Sequence, residues 1–143
     1  MTTTDQTRTV TIERDMAFPP EKLWRALTQP HLMEEWLMKN DFRPQVGHQF
    51  QLKGEWGGVL ECEVLELEPH KSLSYTWNFA NEDPAYSLNS VVTFTLTPTP
   101  TGTHLKVEQS GFGPHQKQAY GGAHAGWKDM LSKLQDVLAN LKD

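Results

Sequence analysis

The sequence of 143 residues carries a single cysteine, Cys62, only 13 Lys and Arg against 18 Asp and Glu, and no long uninterrupted apolar run. A lone thiol excludes an intramolecular disulfide and any CxxC redox or zinc motif. The formal net charge of -5, with no cluster of basic residues, excludes the electrostatic footprint of a nucleic-acid binder. No stretch reaches the ~20 apolar residues of a membrane span, and the opening MTTTDQTRTV has neither the basic start nor the apolar run of a signal peptide. With the lone thiol, this sets the expectation of a cytoplasmic protein. Also missing are GxSxG, the P-loop, GxGxxG and HExxH. The six histidines, His31, His48, His70, His104, His115 and His124, show no HxH or HxxH spacing, so neither a metal nor a cofactor is expected. Cys62 stands in no context that would activate it as a nucleophile, and no catalytic residue is assigned.

What is present is periodicity, and it changes along the chain. Val10 and Ile12 alternate with Thr9, Thr11 and Glu13, the period of a half-buried strand. Pro19 and Pro20 then suit a first helical turn, where a missing N–H has no partner to lose. Leu23, Trp24 and Leu27 give that helix an apolar stripe. Pro30 ends it and starts a second short helix, with Leu32, Met33, Trp36 and Leu37 on one side. Glu34 and Glu35 occupy this helix where a DNA reader would need cations.

From Gln49 the period becomes two: Phe50, Leu52, Gly54 and Trp56 share one face, Gln49, Gln51, Lys53 and Glu55 the other. Gly57-Gly58 reads as a two-residue hairpin turn, so the strand starting at Val59 runs back antiparallel. SLSYTWNF, SVVTFTLT and THLKVEQS follow as strands with Leu73, Tyr75, Trp77, Phe79, then Val92, Phe94, Leu96, then Leu105, Val107 and Gln109 facing in. PTPTG supplies a turn. After the Gly-rich segment GFGPHQKQAYGGAHAG, a long helix carries Trp127, Leu131, Leu134, Leu138 and Leu141 as one stripe. Without repeats or an internal linker, residues 1–143 read as one α+β domain, a curled antiparallel sheet around the final helix.

The inward positions predict an aromatic cavity between sheet and helix. Its lining is Trp36, Phe50, Leu52, Trp56, Cys62, Tyr75, Trp77, Phe79, Phe94, Gln109, Trp127 and Leu131. These rings either fill the core, at about 2 to 3 kcal/mol each, or surround a ligand. Trp36, at the end of the short second helix, is a candidate lid over one mouth, and the Gly-rich segment would form the facing rim. Gly126 alternatively lets the turn of Trp127 approach the sheet closely.

Two polar features bear on chemistry. Leu60, Cys62 and Val64 share one face of their strand, yet Leu65 and Leu67 share parity with Glu61 and Glu63. A bulge near Leu65 resolves the conflict and leaves both glutamates in solvent; without it they enter the cavity as acid/base candidates. Arg14 has inward parity. It either meets a carboxylate or an anionic ligand head, or lies at the strand's end with its guanidinium in water.

The blocks FPPEKLWRALTQPHLMEEW, EVLELEPHKSLSYTW, SVVTFTLTPTPTGTHLKVEQSGF and GWKDMLSKLQDVL, in this order, resemble the family typified by the activator of the heat-shock protein 90 ATPase, within the START-like SRPBCC superfamily. The resemblance covers nearly the whole chain and implies a helix-grip fold. It departs at Gln109, where the family often has histidine, so imidazole chemistry there is absent. Three functions remain open. The first is a binding module for a hydrophobic or amphipathic small molecule or lipid. A chaperone co-factor is the second; relatives of that kind look like two-domain proteins with an N-terminal anchoring domain for which this sequence shows no counterpart. A cavity enzyme, a cyclase or hydrolase using Glu61, Glu63, Tyr75 or His124, is the third, and whether the chain is an enzyme at all stays open.

Overall fold

The computed structural model describes residues 8–55, 57–80, 82 and 87–141. Its elements are β1 (Arg8–Met16), α1 (Pro20–Thr28), α2 (Pro30–Trp36), β2 (Lys39–Asn40), β3 (Gln49–Lys53), β4 (Val59–Glu68), β5 (Ser72–Phe79), β6 (Leu88–Thr99), β7 (Gly102–Phe112) and α3 (Lys117–Asn140). The strands form one curved antiparallel sheet in the order β1-β7-β6-β5-β4-β3-β2, and α3 packs on its concave face. This is the curled sheet around a final helix that the order of elements and the period change at Gln49 predict, and the helix-grip fold that the family resemblance implies.

Gln29 is both the C-cap of α1 and the N-cap of α2, in an extended conformation that the proline after it favours. One residue therefore sets the bend between the helices. Leu23 and Leu27 of α1 and Leu32, Met33 and Trp36 of α2 are buried, while Trp24 is half-buried. On α3 the buried stripe is Trp127, Leu131, Leu134 and Leu138. Leu141 is the C-cap beyond the helix and is half-buried, so the stripe stops one position earlier than its spacing suggested.

Three local expectations are corrected. The connection between β3 and β4 is longer than a two-residue turn: the last cross-strand pair is Lys53 with Val59, and the Gly57 N–H donates to the Gly54 carbonyl at 3.0 Å. Gly57 takes a positive φ, +90°, at the point where the chain reverses. Gly54 accordingly lies outside the strand, and Trp56 lies outside the described residues. Helix α3 starts at Lys117, so much of the Gly-rich segment belongs to the helix rather than preceding it. Gly126 has nothing within 4 Å of where a Cβ would stand, so no close approach to the sheet requires glycine there.

The parity conflict in β4 is resolved by a bulge. Pairing with β5 shifts register between Val64 and Glu66, which turns Leu65 outward at 39 % exposure and returns Leu67 to the core side opposite Leu73. Glu61 is exposed and accepts a hydrogen bond from Gln51 Nε2 at 2.8 Å; Glu63 is half-buried, its backbone N–H donating to Thr76 Oγ1 at 2.8 Å.

Candidate functional site

The concave face is built from every second residue of the strands, and at its centre strand rings meet Phe42 of the β2–β3 connection and Trp127 of α3. Phe42, Phe50, Tyr75, Phe94, Trp127 and Trp77 form a continuous series with successive centroids 5.1, 5.1, 5.8, 5.7 and 5.3 Å apart, tilted or edge to face. Trp36 joins edge-on to Phe94 at 6.2 Å. Leu52 and Leu131 are fully buried beside them, Cys62 is 4 % exposed, and Phe79 is half-buried at the margin. Eleven of the twelve expected lining residues thus fall on the sheet–helix interface or its edge, the exception being Trp56, which is not described.

Trp36 is not a flap. It is 2 % exposed, and its indole N–H donates to the Ala26 carbonyl at 2.8 Å, which fixes α2 to α1. Releasing it would orphan a buried donor and a buried acceptor together. The expected lid is therefore a structural anchor.

Gln109 is the centre of a buried polar relay. Its Oε1 accepts from the Trp127 indole N–H at 2.7 Å, and its Nε2 donates to Ser90 Oγ at 3.0 Å. The Ser90 hydroxyl donates onward to the Trp77 carbonyl at 2.6 Å. An amide suits this place because it accepts on one side and donates on the other without titrating. The relay ties α3 to β7, β6 and β5 at once.

Tyr75 differs from its neighbours. Every fully enclosed side-chain nitrogen and oxygen among the described residues has a hydrogen-bond partner. The Tyr75 hydroxyl makes no hydrogen bond with any described residue, so its oxygen is not fully enclosed; the 1 % of Tyr75 that stays accessible includes it. The hydroxyl therefore borders space that water can touch, within a wall of rings. Burial, then the neighbouring Cys62, pushes its pKa well above the ordinary tyrosine value. The Cys62 thiol is itself pushed up to about 12 by burial, then by the charges of Glu61 and Asp41. Both groups are protonated at neutral pH, and neither is poised as a base or nucleophile.

A cleft of about 500 Å³ opens at the edge of the grip, between the end of α2, the end of β3 and α3. Trp36, Leu37 and Met38 lie on one side of it, Lys53, Gly54 and Glu55 on another, and Lys133 of α3 on a third. Elsewhere on the rim, Gln116 Oε1 accepts from the Gly113 N–H at 2.8 Å, and its Nε2 donates to the Ser87 carbonyl. That pair of bonds ties the β7–α3 connection to the residue before β6.

Arg14 takes neither expected place. It is half-buried, and its guanidinium donates to Ser132 Oγ at 3.2 Å, Gln135 Oε1 at 3.1 Å and the Lys128 carbonyl at 3.4 Å, bracing β1 against α3 through neutral acceptors. His124 is half-buried on the first turns of α3. No group of three or more metal-ligating side chains is found among the described residues, and no helix there is long and apolar enough to cross a membrane.

The sequence model of the family described as Activator of Hsp90 ATPase homolog 1-like protein matches residues 17–139. The chain belongs to this family. Among solved structures, this family member is similar to a Mesorhizobium loti protein at 65% identity and TM-score 0.92, covering 95% of this chain and all of that one. A Bacillus halodurans protein is 25% identical with TM-score 0.76, over 92% of this chain and 96% of the other. A protein from the dynemicin biosynthetic locus is 24% identical with TM-score 0.81; 92% of this chain covers 47% of it, and this likeness concerns the fold alone. Comparison with curated proteins finds no match. Within this Hsp90-activator-like fold, Phe42 is the lining residue that periodicity misses, since it sits in a connection held by Asn40, whose Oδ1 accepts the Phe42 N–H at 3.0 Å. The asparagine two residues before a lone phenylalanine was the available signal.

Proposed function

We propose that this chain, acting as one domain, binds a hydrophobic or amphipathic small molecule between the concave face of the sheet and α3, reached from the cleft beside Trp36. The observation that carries the reading is the run of rings from Phe42 to Trp77, in contact through Phe94 with Trp36, which also lines that cleft. Ring faces and edges offer a large apolar contact area at little conformational cost, which is what recognition of a flat or amphipathic ligand uses.

The test is titration of the folded protein with N-phenyl-1-naphthylamine, a neutral apolar dye. Saturable one-to-one binding with a change in tryptophan emission is expected. Trp77→Ala is expected to alter dye affinity while the variant still unfolds cooperatively. If the rings serve only as core, the same variant loses about 3 to 5 kcal/mol and the parent binds no apolar compound, which refutes the proposal.

A further inference from the structure

The wall between sheet and α3 is apolar or internally hydrogen-bonded almost throughout. The polar atoms of Gln109, Ser90, Trp127 and Trp36 are all consumed by each other or by carbonyls. Tyr75 breaks the pattern: it stands between Phe50 and Phe94, with ring centroids at 5.1 and 5.8 Å, and its hydroxyl has no partner among the described residues. A phenylalanine would satisfy packing at this position without carrying an unpaired hydroxyl into an apolar wall. We propose that the Tyr75 hydroxyl is the polar anchor of the interior site and donates a hydrogen bond to a neutral carbonyl or hydroxyl oxygen of a ring-bearing ligand.

The neutrality of the ligand follows from the surroundings. Cys62, the neighbouring polar side chain on this face, is a protonated thiol and offers no positive charge. The nearby formal charges that act on it, Glu61 and Asp41, are negative. A carboxylate brought to Tyr75 would lose its hydration among rings, and no cationic side chain among the described residues acts on Tyr75 to meet it. A ketone, ester or phenol oxygen carries no such penalty and accepts the bond equally well in geometry. The chemical class is therefore a neutral aromatic or polycyclic compound with one oxygen acceptor at its buried end, rather than a fatty acid held by its carboxylate.

This inference rests on the interior-binding reading, and the experiment keeps the two apart. Three probes of matched shape are titrated by equilibrium dialysis at pH 7 into the parent and into Tyr75→Phe: 2-acetylnaphthalene, 2-ethylnaphthalene and 2-naphthoate. The expected result is that Tyr75→Phe weakens the ketone about fivefold to tenfold while the hydrocarbon changes by less than about twofold, the loss of one hydrogen bond. The carboxylate binds the parent more weakly than the ketone. A ketone affinity unchanged in Tyr75→Phe, or a carboxylate bound more tightly than the ketone, overturns the inference; hydrocarbon binding to both proteins then leaves interior binding standing. Failure of all three to bind the folded parent removes both. Should Tyr75→Phe not fold, the carbonyl stretch of ¹³C-labelled 2-acetylnaphthalene bound to the parent decides. A shift to lower frequency than in hydrocarbon solvent is expected, and a frequency matching that solvent overturns the proposal.

Discussion

Replacing Gly121, Gly122 and Gly126 with alanine together should stabilise the protein, and by a predictable amount. All three lie within α3, upstream of its first buried side chain, Trp127. Gly121 and Gly122 are exposed and Gly126 is half-buried, none has a positive φ, and no atom lies within 4 Å of any of the three positions where a Cβ would stand. The substitutions therefore meet neither steric clash nor backbone strain. What remains is helix propensity, in which glycine is about 0.8 to 1 kcal/mol less favourable than alanine per position, because it loses more backbone freedom on folding. The triple variant should gain about 2 to 3 kcal/mol. For a chain of this length that raises Tm by about 5 to 10 °C. Urea unfolding should show a higher midpoint with an unchanged slope, since no surface is added or removed from the core. A midpoint equal to or below the parent's would refute the reasoning. It would mean that the residues before Trp127 do not spend their time as helix in solution, and that α3 effectively begins near its first buried anchor. Amide exchange at Ala123 and Ala125 in the parent provides an independent check: helical protection there is required.

Two further outcomes test the packing and the charges. Leu134→Ala removes a side chain with no exposed area from the α3 stripe and should cost about 2 to 5 kcal/mol in denaturant unfolding; a loss under about 1 kcal/mol would show that α3 meets the sheet by another face. The His104 ring places Nδ1 2.7 Å from Asp15 Oδ1 and Nε2 2.9 Å from Glu13 Oε1, and hydrogen bonds to Asp15 first and Glu13 second raise its pKa above 6.5. Because the folded value is the higher one, the stabilisation it contributes is complete below about pH 6.5 and fades as pH rises through the folded value. Titration of the His104 ring by NMR should give a midpoint above 6.5 that falls back in the double variant Glu13→Gln, Asp15→Asn; an unchanged midpoint would show that the exposed carboxylates do not hold the ring.

The architecture was legible because period and punctuation agree. Alternation across Ser72–Phe79 marks β5 at its observed bounds, and the odd parity of Leu65 announced its bulge without any structure. The misreadings arose where a side chain's role depends on a distant partner. Trp36 at the end of a short helix reads as a lid in sequence, and only the Ala26 carbonyl across the α1–α2 bend makes it an anchor. Arg14 has the parity of a core residue, but its acceptors are more than a hundred residues away on α3. Strand β2, two residues long, carries no period to detect. For the candidate site, alternation placed Tyr75 on the correct face, whereas the unpaired state of its hydroxyl depends on every neighbour at once.

The position of β1 sets a timetable for synthesis. It lies at one edge of the sheet, and its sheet neighbour is β7, with Met16 opposite Thr103 and Arg8 opposite Phe112. Of the described strands, β1 is thus made before the others and its partner β7 after them. At about 5 to 20 residues per second, it waits about 5 to 20 s for its partner to be made. During that interval Val10 and Ile12 have no α3 to cover them, and the strand's backbone donors and acceptors are open to pairing with other chains. Closure of the grip is necessarily late, because it waits for α3, and the nascent domain is most vulnerable to aggregation just before that helix emerges.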